Sequence, residues 1–159
     1  MQSRFFPTAF VVLFCGMVAF AAVAQSAEYL GPTDVVATKD GKTLFVLNED
    51  AGQVAEMDVA SGKVTRTIPC PPKPTGLVLN PNDSKLIVTC AASTGSVALI
   101  DVASGKVMAT VPAGHGARAP AISPDGKRLY VCNQFDNDVS VIDLATGKQI
   151  VRVPAVREP

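Results

Sequence analysis

Three phrases constrain this chain more than anything else in it: Asp58-Val-Ala-Ser-Gly-Lys, Asp101-Val-Ala-Ser-Gly-Lys and Asp143-Leu-Ala-Thr-Gly-Lys, whose aspartates stand 43 and 42 residues apart. Two other series of markers keep the same period. Leu44, Leu86 and Leu129 are spaced by 42 and 43 residues, and Pro69, Pro112 and Pro154 by 43 and 42. A catalytic constellation has no reason to recur at fixed spacing, whereas an architectural unit does. The chain is one unit written three times.

Each unit reads as four short strands. In the third copy these are Pro120-Ala-Ile-Ser, Leu129-Tyr-Val-Cys, Val139-Ser-Val-Ile and Gln149-Ile-Val-Arg-Val. Pro-Asp-Gly-Lys separates the first pair and Ala-Thr-Gly-Lys the last pair. Both are hairpin sequences in which glycine supplies a positive φ. A variable polar loop joins the second strand to the third, and the middle copy carries one extra residue there, as surface loops tolerate. No helical periodicity follows the N-terminal apolar run. Four strands in about 42 residues is the size of one β-propeller blade. Leu-Ile-Val and Leu-Tyr-Val place apolar residues on both strand faces, which suits sheets covered on two sides. The expected fold is therefore all-β: four-stranded antiparallel propeller blades. A β-sandwich, the rival, needs no strict repeat.

Phe45-Val-Leu-Asn, Ile87-Val-Thr-Cys and Tyr130-Val-Cys-Asn resemble the Tyr-Val-Thr-Asn signature of YVTN-repeat β-propellers. The V-x-x-I/M-D-x-A-[ST]-G-K phrase after it and the S/N-P-[DN] phrase before it look like the rest of that repeat. The resemblance covers residues 32–159. It implies a fold strongly and an activity weakly, because that family has surface, periplasmic and enzyme-fused members.

Residues 1–24 read as a secretory signal: one arginine, a nearly unbroken apolar run, then Ala22-Val23-Ala24 before Gln25. A retained anchor helix is the rival, and Phe14 before Cys15 argues against a lipoprotein. Residues 25–31 form a linker, and blades are expected over about residues 32–70, 74–113 and 117–155. Residues 156–159 repeat the spacing that opens the second blade and look like the start of a fourth. Three blades form an incomplete ring, since propellers typically have four to eight. The expectation is thus a segment of a longer propeller protein, the rivals being a truncated product or an arc completed by another subunit.

Most polar residues have an architectural explanation. Asp58, Asp101 and Asp143 precede tight turns, where a carboxylate accepts local backbone N–H groups; Asn48 and Asn133 are expected to cap the second strand in the same way. Cys70, Cys90 and Cys132 are too sparse for a disulfide framework. Cys90 and Cys132 are expected as buried free thiols, with a bridge across neighbouring blades as the rival. With no CxxC or CxxCH motif, no metal site and no cofactor are expected in this segment. Haem would belong only to a part beyond Pro159.

His115 is the only histidine, which argues against copper propeller chemistry built on several histidines in this segment. It lies in Gly114-His-Gly-Ala-Arg, joining one blade to the next. Such loops share a face with those between second and third strands. A binding face there would draw on Lys73, His115, Arg118 and Arg157 from the joining loops, and on Phe135 and Asp136 from the other class. Fourteen basic and fourteen acidic residues are scattered singly, so no nucleic-acid partner is expected and the membrane matters only for export. The expected function is an exported, periplasmic or extracellular module. It would bind a protein or small ligand through its loop face and have no catalysis of its own. The resemblance supplies the alternative: the propeller part of a periplasmic redox enzyme fused to a cytochrome c or di-haem peroxidase-like domain, or of a lactonase-like enzyme.

Overall fold

The computed structural model describes residues 29–155. The apolar N-terminal run and residues 156–159, Arg157 among them, lie outside the described residues. Twelve strands follow one another. The first sheet holds β1 (Pro32–Ala37), β2 (Thr43–Asn48), β3 (Gln53–Asp58) and β4 (Lys63–Pro69). The second holds β5 (Pro74–Leu79), β6 (Lys85–Cys90), β7 (Ser96–Asp101) and β8 (Lys106–Pro112). The third holds β9 (Ala117–Ile122), β10 (Arg128–Asn133), β11 (Asp138–Asp143) and β12 (Lys148–Pro154). Each is an antiparallel meander whose strand order is its sequence order. The all-β expectation of four-stranded blades holds.

The repeated phrases make the turns. Asp58 Oδ1 accepts the Ser61 N–H at 2.8 Å and the Ser61 hydroxyl at 2.6 Å; Asp101 holds Ser104 at the same two distances, and Asp143 holds the Thr146 N–H at 2.9 Å. Gly62, Gly105 and Gly147 then turn the chain at φ of 64°, 67° and 64°, a region where a Cβ is penalised. The first strand of the third blade begins at Ala117, three residues earlier than Pro120 implied. The β9–β10 pairing is irregular between Tyr130 and Cys132, and β9 is an edge of its sheet. The missing Pro120 N–H therefore costs no ladder bond.

Successive blades pack through alternating faces of their strands. Phe45, Leu47, Val54 and Ile68 of the first blade meet Leu77, Leu79, Leu86, Val88, Ala98 and Ile100 of the second. On its other face the second blade sets Ile87, Val97, Leu99 and Val111 against Ala117, Leu129, Val131 and Ile142 of the third. The first strands β1, β5 and β9 lie side by side and mark the inner side of the arc. There Asp34 Oδ2 accepts the Leu77 N–H at 2.9 Å and the Thr75 hydroxyl donates to the Ala117 carbonyl at 2.5 Å. On the outer side the Arg66 guanidinium, paired with Glu56, donates to the Val102 carbonyl at 2.7 Å. Polar ties at both ends of an apolar junction fix how far each blade turns from the last.

Backbone bonds divide the loops between two rims. On one rim the loop after each second strand bonds the chain joining the blades: Cys70 N–H to the Gly52 carbonyl and Ala113 N–H to the Gly95 carbonyl, both at 2.9 Å. On the other, the two hairpin turns of each blade meet, as in Val102 N–H to Ser84 O at 3.0 Å.

Candidate functional site

The third blade departs from the repeat along the first of these rims. Asp136 stands where the first blade has Ala51, Ser140 where the others have Ala55 and Ala98, and Arg152 where they have Thr67 and Thr110. The scaffold requires none of these residues. They assemble one network.

Asp136 is its hub. One carboxylate oxygen lies 3.0 Å from His115 Nδ1. The other accepts the His115 backbone N–H at 2.9 Å and pairs with Arg152 Nη2. The same Nη2 lies 2.8 Å from Asp138 Oδ2. Asn133, buried at the end of β10, extends the network inward: its Nδ2 donates to Asp138 Oδ1 at 2.6 Å and to Ser140 Oγ at 2.8 Å. The Ser140 hydroxyl passes the chain on to Gln149 Oε1 at 3.1 Å. Asn133 Oδ1 accepts the Gly114 N–H at 2.9 Å, which ties the joining loop to the blade. A Cβ on Gly114 would lie 2.5 Å from Arg152 Nη2, Asn133 Cγ and Asp136 Oδ2, so only glycine lets this backbone approach so closely.

The His115 side chain and backbone N–H, and then Arg152, hold the Asp136 carboxyl well below the usual carboxylate range. Asp136 and Asp138 in turn raise the Arg152 guanidinium above its ordinary value. With Nδ1 turned to the carboxylate, a neutral His115 presents its Nε2 lone pair outward. The His115 side chain is 62% exposed. Beside it lies a cleft of 140 Å³ lined by Thr94, Gly95, Ala113, Gly114, His115, Asp136 and Arg152. Phe135, 71% exposed, precedes Asp136 in the same loop, its ring lies against Gly116, and its N–H donates to the His115 carbonyl at 3.2 Å. A small cleft with a fixed imidazole, a carboxylate and a guanidinium on its wall can grip a small polar group or a protruding side chain. Among the described residues no group of three or more His, Cys, Asp or Glu side chains is placed to hold a metal ion.

Of the residues expected on a binding face, His115, Asp136 and Phe135 come together. Lys73 sits on the same rim but a blade away, at φ +56°, in the position that Gly31 and Gly116 fill in the other blades. Arg118 is a correction: it lies not in the joining loop but in β9, opposite Cys132, because the strand starts early. Asn133 is another, since its acceptor serves Gly114, nineteen residues away, rather than a local turn. Asn48 lies buried at the end of β2, paired with Gln53. Cys70, Cys90 and Cys132 are free thiols; Cys90 is buried, but Cys132 is exposed on the far face of the third blade, against the expectation of burial. Arg152, Asp138, Ser140 and Gln149 were not expected at all. Their signal was present as departures from the repeat.

No family model matches the sequence, and no curated protein matches it. Solved structures do. The chain is similar to the hydrazine synthase of Kuenenia stuttgartiensis, at 26% identity and a TM-score of 0.75 over 83% of this chain and 38% of that one. It is also similar to a 6-phosphogluconolactonase-like protein of Bacteroides fragilis, at 23% identity and TM-score 0.68 over 80% and 40% of the two chains. A counterpart from Bacteroides uniformis gives 19%, 0.66, 80% and 42%. The chain thus spans about two fifths of the length of these structures. Fold and likeness together define the class: a β-propeller segment of three blades.

Proposed function

We propose that this propeller segment, of the YVTN-repeat type its motifs resemble, is an exported binding module without catalysis of its own. Its ligand, a protein or a small polar molecule, would engage the rim of the third blade at His115, Asp136, Phe135 and Arg152. The observation carrying this reading is that these residues depart from a repeat that otherwise accounts for nearly every polar side chain. The Ala22-Val23-Ala24 sequence supports export, and the absence of CxxC motifs supports a segment that holds no haem itself. The test is site-specific photo-crosslinking in the native host, with the probe at Phe135 or at Ser104 on the opposite rim. Adducts at Phe135 that fade with Asp136→Asn, and none at Ser104, are expected. Equal labelling of the two rims would discard the reading.

A second reading follows from the resemblance to YVTN-repeat propellers: the segment would be the propeller part of a larger periplasmic redox enzyme fused to a cytochrome c or di-haem peroxidase-like domain. The intact mass and visible spectrum of the native protein separate the two. A much larger mass with a haem band favours the enzyme, and the absence of a band favours the binding module.

A further inference from the structure

Where the joining chain meets the end of the second strand, the second and third blades correspond residue by residue. Cys70 and Ala113 each donate an N–H to a loop glycine, Gly52 or Gly95. The carbonyls of Lys73 and Gly116 each accept from the residue after the second strand, Ala91 or Gln134. Pro74 pairs with Cys90 as Ala117 pairs with Asn133. Cys70 thus stands at the place of Ala113, Pro71 at that of Gly114 and Cys90 at that of Asn133. In the third blade these places hold a tether, in which Asn133 Oδ1 accepts the Gly114 N–H at 2.9 Å. The second blade has neither part of it. Pro71 has no N–H to give, and Cys90 has no carboxamide to receive one. The polar pair is lost from both sides at once, and each side carries a thiol instead.

The two thiols share one environment. Cys90 is fully buried in the apolar junction of the first and second blades, and Cys70 packs against the same cluster. Burial, and then the charge of nearby Cys70, push the Cys90 thiol up to about 12. We infer that Cys70 and Cys90 form a disulfide site, whose oxidation ties the joining chain to the end of β6 as Asn133 ties it in the third blade. A disulfide spans Cα atoms about 4.4–6.8 Å apart, and at the matching positions one side chain, Asn133, already reaches the peptide nitrogen that follows Ala113. The step is thiol–disulfide exchange with a small-molecule disulfide or a disulfide-bearing oxidoreductase. The thiolate of Cys70, the more accessible of the two, attacks one sulfur of the oxidant and releases the other as a thiol. The Cys90 thiolate then displaces the half that remains on Cys70. Two protons and two electrons leave the pair, and the oxidant departs as two thiols.

The test is oxidation of the full chain, wild type and Cys132→Ser, by oxidised glutathione during refolding from urea. Iodoacetamide in urea then alkylates the thiols that remain, and intact mass and peptide mapping locate them. The expected product is a monomer two hydrogens lighter, with Cys70 and Cys90 unalkylated and linked to each other, whereas the reduced chain alkylates at both in urea. The bridged chain should melt roughly 10 °C above the reduced one, and Cys70→Ala should abolish that difference. Cys70 and Cys90 that still alkylate after oxidation overturn the inference. So do a glutathione adduct that persists on Cys70, covalent dimers through either thiol, a link from either one to Cys15 or Cys132, and a bridge that lowers the melting temperature.

Discussion

Leu44, Leu86 and Leu129 are the same residue at the same repeat position, yet they face different surroundings. Leu86 and Leu129 are fully buried in the two blade junctions, whereas Leu44 is half-buried on the uncovered leading face. Truncation to alanine removes buried carbon and leaves a cavity that a flanking sheet cannot fully collapse. For Leu86 and Leu129 this costs about 3–4 kcal/mol, within the span for fully buried leucines. For Leu44, whose outer side meets water, only part of the transfer term is lost, about 1–1.5 kcal/mol. Over a domain of this size the first two variants should melt roughly 10 °C below wild type and the third by roughly 3–5 °C. Urea titrations at low micromolar concentration, with m held constant, measure this directly. Three equal losses would refute the blade-junction reasoning. A Leu44→Ala penalty that grows with protein concentration would instead report coverage of that face.

Further outcomes follow from the site and the thiols. Gly114→Ala should break the Asp136–Arg152–Asn133 cluster and destabilise by about 1–3 kcal/mol through overpacking, read by urea unfolding; a neutral effect would mean the loop moves freely. Asp136 is held ionised in the folded chain below its unfolded value. Its contribution to stability is therefore full above the ordinary carboxylate range and is lost as pH falls through the folded value. Carbon-13 titration of Asp136 should show it ionised at pH 3 and shifted upward in His115→Ala; an unshifted titration removes the hub. Desolvation pushes the thiols of Cys70 to about 11 and Cys90 to about 12, while Cys132 is exposed. Native labelling at pH 8 in dilute solution should thus show a fast phase that Cys132→Ser removes, with Cys70 and Cys90 reacting only in urea. Fast labelling of Cys90 would contradict its burial. Lys73→Gly relieves a left-handed backbone position and should stabilise by up to about 1 kcal/mol, measured by thermal melting; a loss would show that the lysine side chain matters more than its φ.

The fold was legible because the chain states it three times: turns at Asp58, Asp101 and Asp143 fix register, and alternating apolar residues fix which faces meet. The site was only half legible. His115 and Asp136 stood out as polar residues in loops, but their partner Arg152 lies in a strand, where a charged residue reads as ordinary outer-edge polarity. Ser140 and Gln149 hid likewise, since a single copy cannot show that a serine replaces an alanine. Arg118 was misplaced because Pro120 suggested a later strand start than an irregular edge strand needs. Departures between copies, compared position by position, carry the missing information.

Each sheet is built from about forty consecutive residues, with no strand borrowed from another part of the chain. Pairing partners are therefore close in sequence, and the entropy of closing each loop is small. A blade can zip up as soon as its own segment is free, without waiting for a distant strand. What it lacks at that moment is a neighbour, so each new blade finds its template in the one before. Assembly becomes a relay with a direction, and the step most exposed to error is the last blade waiting for whatever covers it.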